Sequence, residues 1–268
     1  NTMAGKRPTV ADIRANKGKR QYTMLRTETM EELEAAEKAG IDMVSVPPAM
    51  MLRKDFRDAA PTLFAVPGDN FFEIGTTDDF IRWAFPLIKA GADAIYCSAS
   101  LTTIRRLADE NIPVIGHAGL IPSRATWTGG FKAVGKTLES AELVWNQVKA
   151  LEAVGAFGAE VEVVPSEIAA EISARTGLFL ISMGAGAGCD CQYLFSDDVL
   201  GQNRGHVPRH AKSYRNFAAE FDRLQAERIA AFAEFANDVA TGAYPAKEHQ
   251  VGVNADILRQ FRAENLAR

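Results

Sequence analysis

The chain of 268 residues is predicted to be an α/β protein, a (β/α)8 TIM barrel with extra C-terminal helices. Helix-like and strand-like runs alternate along it, which is typical of a parallel sheet covered by helices. A helix that ends in Gly and leads into a strand recurs, as in Lys38 to Val44 and Lys89 to Ile95. The length is close to the roughly 250 residues of one such barrel. We therefore expect a single barrel domain over residues 1–268.

Composition limits the class of protein further. The chain is 47% hydrophobic and 24% charged, with a formal net charge of -4, which suits one soluble globular domain and argues weakly against a nucleic-acid partner. No apolar run approaches the roughly 20 residues of a membrane span, and the N-terminus lacks a signal-peptide core. Three cysteines, an odd number, do not suggest a disulfide framework. We expect a cytoplasmic protein without a membrane partner.

Local signals place the first elements. Gln21 to Leu25 is the first predicted strand, and a helix follows with Thr29 as its cap and Glu32 three residues later. A second strand, Ile41 to Val46, runs into Pro47-Pro48, which we expect in a loop because proline disfavours helix before it.

The pattern continues through three more strands. Leu63 to Val66 is the third, and a helix capped by Thr77 runs to Lys89. The fourth strand is Ile95 to Cys97. After a helix over Leu101 to Glu110, the fifth strand, Val114 to His117, ends at its histidine.

The remaining elements follow a long loop, Ala118 to Lys136, whose length is typical of a functional loop. They comprise helices over Leu138 to Val154 and Ser166 to Thr176, strands at Ala159 to Val163, Phe179 to Met183 and Tyr193 to Phe195, and C-terminal helices over Tyr214 to Ala240 and Ala255 to Ala267.

The sixth strand carries the most informative side chains. Glu160 and Glu162 share one face of it, because side chains in a strand repeat every second residue. A parallel strand buried on both faces is normally apolar, and barrel enzymes keep their chemistry at the C-terminal ends of strands. A catalytic carboxylate and a structural salt bridge both remain open for these residues.

Other motifs also have two readings. Gly184-x-Gly186-x-Gly188 follows a strand but departs from the dinucleotide fingerprint, so close backbone packing is favoured over nucleotide binding. Cys189-x-Cys191 lacks the second pair of a metal site, which favours ordinary thiols. His117 is either a hydrogen-bond donor to a substrate oxygen or a packed histidine. Lys132 and Arg124 are either solvated or hold an anion, and Asp197-Asp198 favours a helix start over a metal pair.

Several segments together resemble the ketopantoate hydroxymethyltransferase (3-methyl-2-oxobutanoate hydroxymethyltransferase) family, in order and spacing from Thr9 to His249. They are Val114-Ile-Gly-His-Ala-Gly-Leu-Ile-Pro-Ser123 with Gly129-Gly-Phe-Lys132, Ala150-Leu-Glu-Ala-Val-Gly-Ala156 leading into Val161-Glu-Val-Val-Pro165, Gly184-Ala-Gly186, Gly205-His-Val-Pro208 with Ala211-Lys212, and Gly242-x-Tyr244-Pro245-x-x-Glu248-His249.

The resemblance implies a barrel of the phosphoenolpyruvate/isocitrate-lyase superfamily and a function in pantothenate biosynthesis. It implies transfer of a hydroxymethyl group from methylenetetrahydrofolate to the 2-oxo acid 3-methyl-2-oxobutanoate, through an enolate that Mg²⁺ stabilises. The family's catalytic base falls on Glu162 and its fifth-strand histidine on His117. The resemblance also implies a homo-oligomer, often a decamer, and the apolar stripes of the C-terminal helices suit subunit contacts.

Half of the implied site differs from the family pattern. The first metal-binding aspartate is replaced within Val46-Pro47-Pro48-Ala49, and the second falls on Gly68, with Asp69 one residue later as the remaining metal ligand. The fourth-strand Lys-x-Glu reads Tyr96-Cys97-Ser98, and the Tyr-Asp after the first strand reads Leu25-Arg26. These changes share one face, which indicates a retained fold with a rebuilt pocket. Arg26 is a hypothetical replacement for the metal's positive charge.

We therefore predict an enzyme of the hydroxymethyltransferase kind with a small-molecule 2-oxo acid as partner. The predicted catalytic residues are Glu162 and His117, the predicted substrate-binding residues are Arg26, Ser45, Tyr96, Ser98 and Lys132, and the predicted metal ligand is Asp69. One alternative is a different C–C bond lyase or decarboxylase of the same superfamily that acts on another oxo acid without metal. The other is a non-catalytic barrel that has lost its site.

Overall fold

Within the residues described by this computed structural model, 5–68 and 71–266, eight parallel strands form one sheet. They are β1 (Tyr22–Arg26), β2 (Met43–Val46), β3 (Phe64–Pro67), β4 (Ile95–Tyr96), β5 (Val114–Gly119), β6 (Gly158–Glu162), β7 (Phe179–Met183) and β8 (Cys191–Phe195). Their order is β3-β2-β1-β8-β7-β6-β5-β4. Asp93 N, just before β4, donates to Ala65 O of β3 at 2.9 Å, which brings the two end strands together. The predicted barrel is confirmed.

Helices precede, connect and follow the strands along the chain. They are α1 (Val10–Ala15), α2 (Met30–Lys38), α3 (Pro48–Met51), α4 (Phe56–Ala59), α5 (Phe71–Ile74), α6 (Thr77–Lys89), α7 (Leu101–Asp109), α8 (Ala125–Thr128), α9 (Leu138–Ala153), α10 (Ser166–Ser173), α11 (Ser196–Val199), α12 (Phe217–Thr241) and α13 (Ala255–Asn265). Short 3-10 turns occupy Pro122–Arg124 and Lys247–His249. None of the helices in the described ranges has the length and apolar character that a membrane crossing requires.

Alternation along the strands produces two apolar clusters. Side chains such as Met24, Phe64 and Ile181 are buried together inside the barrel, while Val44, Ala65 and their alternating neighbours pack outward against the helices. Polar side chains replace the apolar ones where the strands reach their carboxyl ends. An apolar interior thus lies beneath a polar layer at the carboxyl ends of the strands.

Three local predictions need correction. Pro48 does not lie in a loop but opens α3, because the first turn of a helix needs no N–H from that residue. Thr76 rather than Thr77 caps α6, in a capping box with Asp79. Strand β5 continues two residues beyond His117 to Gly119, since it keeps pairing with β6 as far as Glu162.

The glycine run after β7 serves close packing. A Cβ atom on Gly186 would lie 2.5 Å from Ser166 Cβ, and one on Gly188 would lie 2.4 Å from Ala170 Cβ. Both neighbours belong to α10, so the absent side chains allow that helix to approach the loop. The packing reading is therefore favoured by the structure over a nucleotide cradle.

The cysteines and the aspartate pair are also structural. Cys97, Cys189 and Cys191 are buried and free, and burial raises the pKa of Cys189 to about 12, which disfavours the thiolate that a metal would need. Asp197 and Asp198 lie in the first turn of α11, as expected of a helix start.

The chain divides into two compact units, Asn1–Arg215 and Asn216–Arg268, and the extent of the predicted barrel domain stays a prediction. The second unit contains α12 and α13, whose described side chains include no buried residue. Helix α12 begins later than expected because Asn216 accepts a hydrogen bond from Ala219 N and caps it there.

Candidate active site

A cavity of about 690 Å³ opens at the carboxyl ends of the strands. Six predicted site residues line it: Arg26, Ser45, Tyr96, Ser98, His117 and Glu162. They come from five strands, β1, β2, β4, β5 and β6, and from the segment after β4. Parallel strands place their carboxyl ends at one edge, so residues distant in sequence meet there. The structure thus brings the predicted residues together without testing their roles.

His117 lies at the centre of this layer. Its Nδ1 is 2.7 Å from the Tyr96 hydroxyl and 3.5 Å from Glu160 Oε2. Its Nε2 is 2.8 Å from Leu120 O and 3.0 Å from Glu162 Oε2. The parallel register sets His117 beside Glu160, which explains why one imidazole contacts both carboxylates of β6.

These contacts define how the neutral imidazole is protonated. A carbonyl oxygen only accepts hydrogen bonds, so the nitrogen facing Leu120 O and the Glu162 carboxylate carries the proton. Nδ1 is then an acceptor, and the Tyr96 hydroxyl donates to it. A second proton on His117 would enter at Nδ1, between Tyr96 and Glu160.

Burial and charge shift the acidities of this group. Burial raises the pKa of Glu160 to about 7, against the opposing attraction of His117, and the nearby charge of Glu162 raises it further. Burial alone would lower the pKa of His117, but its hydrogen bond to Glu162 and the charges of both glutamates raise it above the ordinary value. The pKa values of Glu160 and His117 therefore both lie above those of the same groups in water.

Two tyrosines complete the polar layer. Burial raises the pKa of Tyr96 well above its usual range, and the charge of Glu160 raises it further. The same two causes raise the pKa of Tyr193, which also lines the cavity. Both phenols therefore stay protonated and act as hydrogen-bond donors at neutral pH.

Arg26 is fixed at the opposite side of the layer by acceptors from three segments. Its Nη1 donates to Ser45 Oγ at 3.1 Å and to Gly68 O at 3.3 Å, while Nε donates to Glu28 Oε1 at 2.8 Å. The side chain is 22% exposed. A guanidinium held this way presents its remaining N–H groups in a defined direction.

The described donor set does not fit the Mg²⁺ ion implied by the family resemblance. Magnesium prefers near-octahedral oxygen ligands, commonly one or two carboxylates with waters. Here Glu28 is paired with Arg26, and Glu160 and Glu162 contact His117. In residues 5–68 and 71–266, no group of three or more His, Cys, Asp or Glu side chains could hold a metal. The predicted ligand Asp69 lies outside the described residues.

The long loop after β5 is fastened to β6 at both ends. Leu120 N donates to Glu162 O at 2.9 Å, and Val134 N donates to Val163 O at 3.0 Å. Val163 itself has a positive φ of 48°, which is uncommon for a β-branched residue. Lys132 of this loop is exposed and does not line the described cavity, so its substrate-binding role stays a prediction.

The sequence left a catalytic carboxylate and a salt bridge open for Glu160, which is not among the predicted site residues but lines the cavity. Glu160 and Glu162 alternate on the face of β6 that points into the barrel, and their shared contact with His117 follows from that alternation. Other cavity residues lacked any chemical signature in the sequence, and they include Phe72, Met183, Tyr193 and Phe195.

Comparisons with known proteins agree with this architecture. The chain is 31% identical over 285 aligned residues to the 3-methyl-2-oxobutanoate hydroxymethyltransferase of Nitratidesulfovibrio vulgaris, covering 97% of this chain and 90% of the relative. Among solved structures, 2,3-dimethylmalate lyase, a PEP mutase/isocitrate lyase superfamily member, matches with a TM-score of 0.51 at 12% identity, covering 94% and 93% of the two chains. Phosphonopyruvate hydrolase, solved with oxalate and Mg²⁺, matches with a TM-score of 0.50 at 15% identity, covering 97% of this chain and all of the other.

The two structural likenesses show the barrel fold alone, because identity below 25% does not carry function with it. The family model described as ketopantoate hydroxymethyltransferase matches residues 70–247, about two thirds of the chain. This match and the full-length relative confirm the resemblance drawn from the sequence motifs. The chain belongs to the ketopantoate hydroxymethyltransferase family, a family of transferase enzymes.

Proposed function

We propose that this protein transfers a hydroxymethyl group from methylenetetrahydrofolate to a 2-oxo acid, 3-methyl-2-oxobutanoate, as a step of pantothenate biosynthesis. Membership of the family supports the reaction class. The observation that carries the proposal is the contact between His117 Nε2 and Glu162 Oε2, 3.0 Å apart, at the wall of an open cavity.

Glu162 is the base in this proposal. Its carboxylate accepts the proton on the carbon next to the 2-oxo group, and the electron pair of that C–H bond moves into an enolate. The enolate carbon forms the new C–C bond to the methylene carbon of the folate, and the oxygen of a water molecule becomes the hydroxyl group on that carbon. Both C–N bonds of the methylene bridge break, and tetrahydrofolate leaves with two protons on its nitrogens, one from water and one from the substrate carbon by way of Glu162. His117 orients Glu162 by donating from Nε2, since the same nitrogen is also anchored to Leu120 O.

The rest of the layer binds the acid. Arg26 faces the substrate carboxylate, and Ser45, Tyr96 and Ser98 surround it with hydroxyl groups. Lys132 is assigned to the same role through the loop. Mg²⁺ use would follow the solved phosphonopyruvate hydrolase complex, but the described donors of this chain do not support it.

Proton exchange tests the base separately from the folate-dependent step. In D₂O, the full chain should exchange the C3 proton of 3-methyl-2-oxobutanoate without any folate, followed by NMR. We expect Glu162→Gln to slow this exchange by about 10²- to 10⁴-fold, the usual contribution of a general base. Glu139→Gln is the matched control, because it removes a carboxylate from the exposed first turn of α9.

The outcomes separate the alternative functions. Exchange by wild-type protein that Glu162→Gln does not slow would contradict the role of this residue. Exchange without ketopantoate formation when methylenetetrahydrofolate is added would favour a lyase or decarboxylase acting on another oxo acid. The open cavity argues against the non-catalytic alternative, which would be supported by a pocket filled with side chains.

A homo-oligomer is the second part of the proposal. Large apolar side chains are exposed on the C-terminal helices, among them Ile229 at 62% and Phe232 at 71%. Burying such surface against a second copy of the chain would be favourable. Light scattering should show a smaller assembly for the Ile229→Glu/Phe232→Glu double variant and no change for Glu234→Gln on the same helix. An unchanged mass in the double variant would contradict the role of this face.

A further inference from the structure

The cationic side of the cavity consists of one fixed guanidinium. Arg26 is the single Lys or Arg side chain among the described residues that line the cavity. Its Nε and Nη1 are held by Glu28, Ser45 and Gly68, which together account for three of its five N–H donors. Within residues 5–68 and 71–266, its Nη2 has no hydrogen-bond partner. An anchored guanidinium with donors remaining is suited to a carboxylate.

The acidic side chains around it are already engaged. Glu28 neutralises part of the Arg26 charge, while Glu160 and Glu162 contact His117. A divalent cation would have to displace these partners and approach a guanidinium of like charge. A substrate carboxylate would instead meet the guanidinium directly and would need no other cation.

We propose that this site binds the carboxylate of its acid through Arg26 without a divalent metal ion. The substrate class is a monocarboxylic 2-oxo acid, because a second carboxylate would face the glutamates at the other side of the layer. The inference rests on the proposed function for the position of the substrate, but it concerns the mode of binding rather than the reaction.

Calorimetry on the chelator-treated full chain tests the inference. The probes are 3-methyl-2-oxobutanoate and pyruvate, each in excess EDTA and again with Mg²⁺. We expect the two oxo acids to bind with the same affinity in both conditions, within about twofold. Arg26→Met should weaken them roughly 10- to 100-fold, the range for a charge-assisted pair. Arg26→Lys should recover only part of the loss, because a single ammonium cannot replace a planar fork.

Two controls protect the test against misfolding. Arg175→Met removes an exposed guanidinium outside the cavity lining and should leave binding unchanged. Phenylglyoxal modification of wild-type protein, mapped by mass spectrometry, should be slowed at Arg26 by the oxo acids in EDTA. This second readout needs no substitution at the site.

The failures of the two proposals are distinguishable. Binding that Mg²⁺ tightens by more than about tenfold, or Arg26→Met with wild-type affinity, would overturn metal-independent recognition and leave hydroxymethyl transfer intact. Absence of binding by every probe in both conditions would also overturn it. The protein could also form no ketopantoate and still bind pyruvate with an affinity that depends on Arg26 and is unchanged by EDTA. That result would support the inference and contradict the proposed function.

Discussion

Replacing Glu160 by glutamine should change how stability depends on pH. The pKa of Glu160 is about 7, compared with 4.5 for an ordinary glutamate. Each tenfold change in proton affinity corresponds to about 1.4 kcal/mol, so ionising Glu160 costs the folded state about 3 kcal/mol more than the unfolded chain. Glutamine keeps the shape of the protonated acid and never ionises.

The sign follows from proton uptake on folding. Because the folded pKa is raised, the folded chain keeps a proton that the unfolded chain has lost between about pH 4.5 and pH 7. The unfolding free energy of wild-type protein therefore falls as pH rises through this window. The raised pKa of His117 acts in the same direction, since its contribution is present at low pH and is lost as pH rises through the folded pKa.

Urea unfolding at equal protomer concentration, from about pH 5 to pH 8, measures the difference between the two proteins. We expect the unfolding free energy of Glu160→Gln to exceed that of wild type by less than about 1 kcal/mol at pH 5, and the difference to grow steadily to about 3 kcal/mol at pH 7 to 8. Glu139→Gln is the control, because it shows whether removing an exposed carboxylate changes the pH dependence of the unfolding free energy in the same way. A difference between Glu160→Gln and wild type that stays constant with pH would refute the reasoning.

Other substitutions give independent checks. Tyr96→Phe removes the donor to His117 Nδ1 and should cost about 1 to 3 kcal/mol of unfolding free energy, as expected for an unsatisfied buried acceptor; wild-type stability in urea would contradict a stabilising role of this hydrogen bond. Gly188→Ala should cost about 1 to 3 kcal/mol, because its Cβ would lie 2.4 Å from Ala170 Cβ. Gly252→Ala is its control, since no heavy atom lies within 4 Å of that Cβ; equal thermal stability of the two variants would count against close packing.

Most of the fold was predictable because local signals agree with the global architecture. The Gly-terminated helices, the capping threonine at Thr29 and the strand over Phe179 to Met183 all indicated the observed elements. The errors arose where one residue type serves two structures. Pro48 signals a loop in most contexts, but it also fits the first turn of a helix.

Site residues could be predicted from the sequence where a chemically reactive side chain stands near the carboxyl end of a predicted strand. His117 and Glu162 were named from motifs at strand ends, and the structure places them in contact. The role of Glu160 stayed open in the sequence, because a buried strand-end carboxylate has the same sequence pattern whether it forms a salt bridge or takes part in proton transfer. The properties of the Glu160 carboxyl group depend on its distance from His117 and on how deeply Glu160 is buried. Both quantities are set by tertiary packing, which the sequence pattern does not show.

The two attachments of the long loop to β6 have a consequence for how this enzyme can vary. Hydrogen bonds at Leu120 and Val134 hold the loop's bases against the strand that carries Glu162, whereas Trp127 between them is 90% exposed. The backbone beside Glu162 is therefore held at the two ends of the loop and not through its exposed middle. A substitution at Trp127 should change the surface of the loop while the strand that carries Glu162 keeps its position.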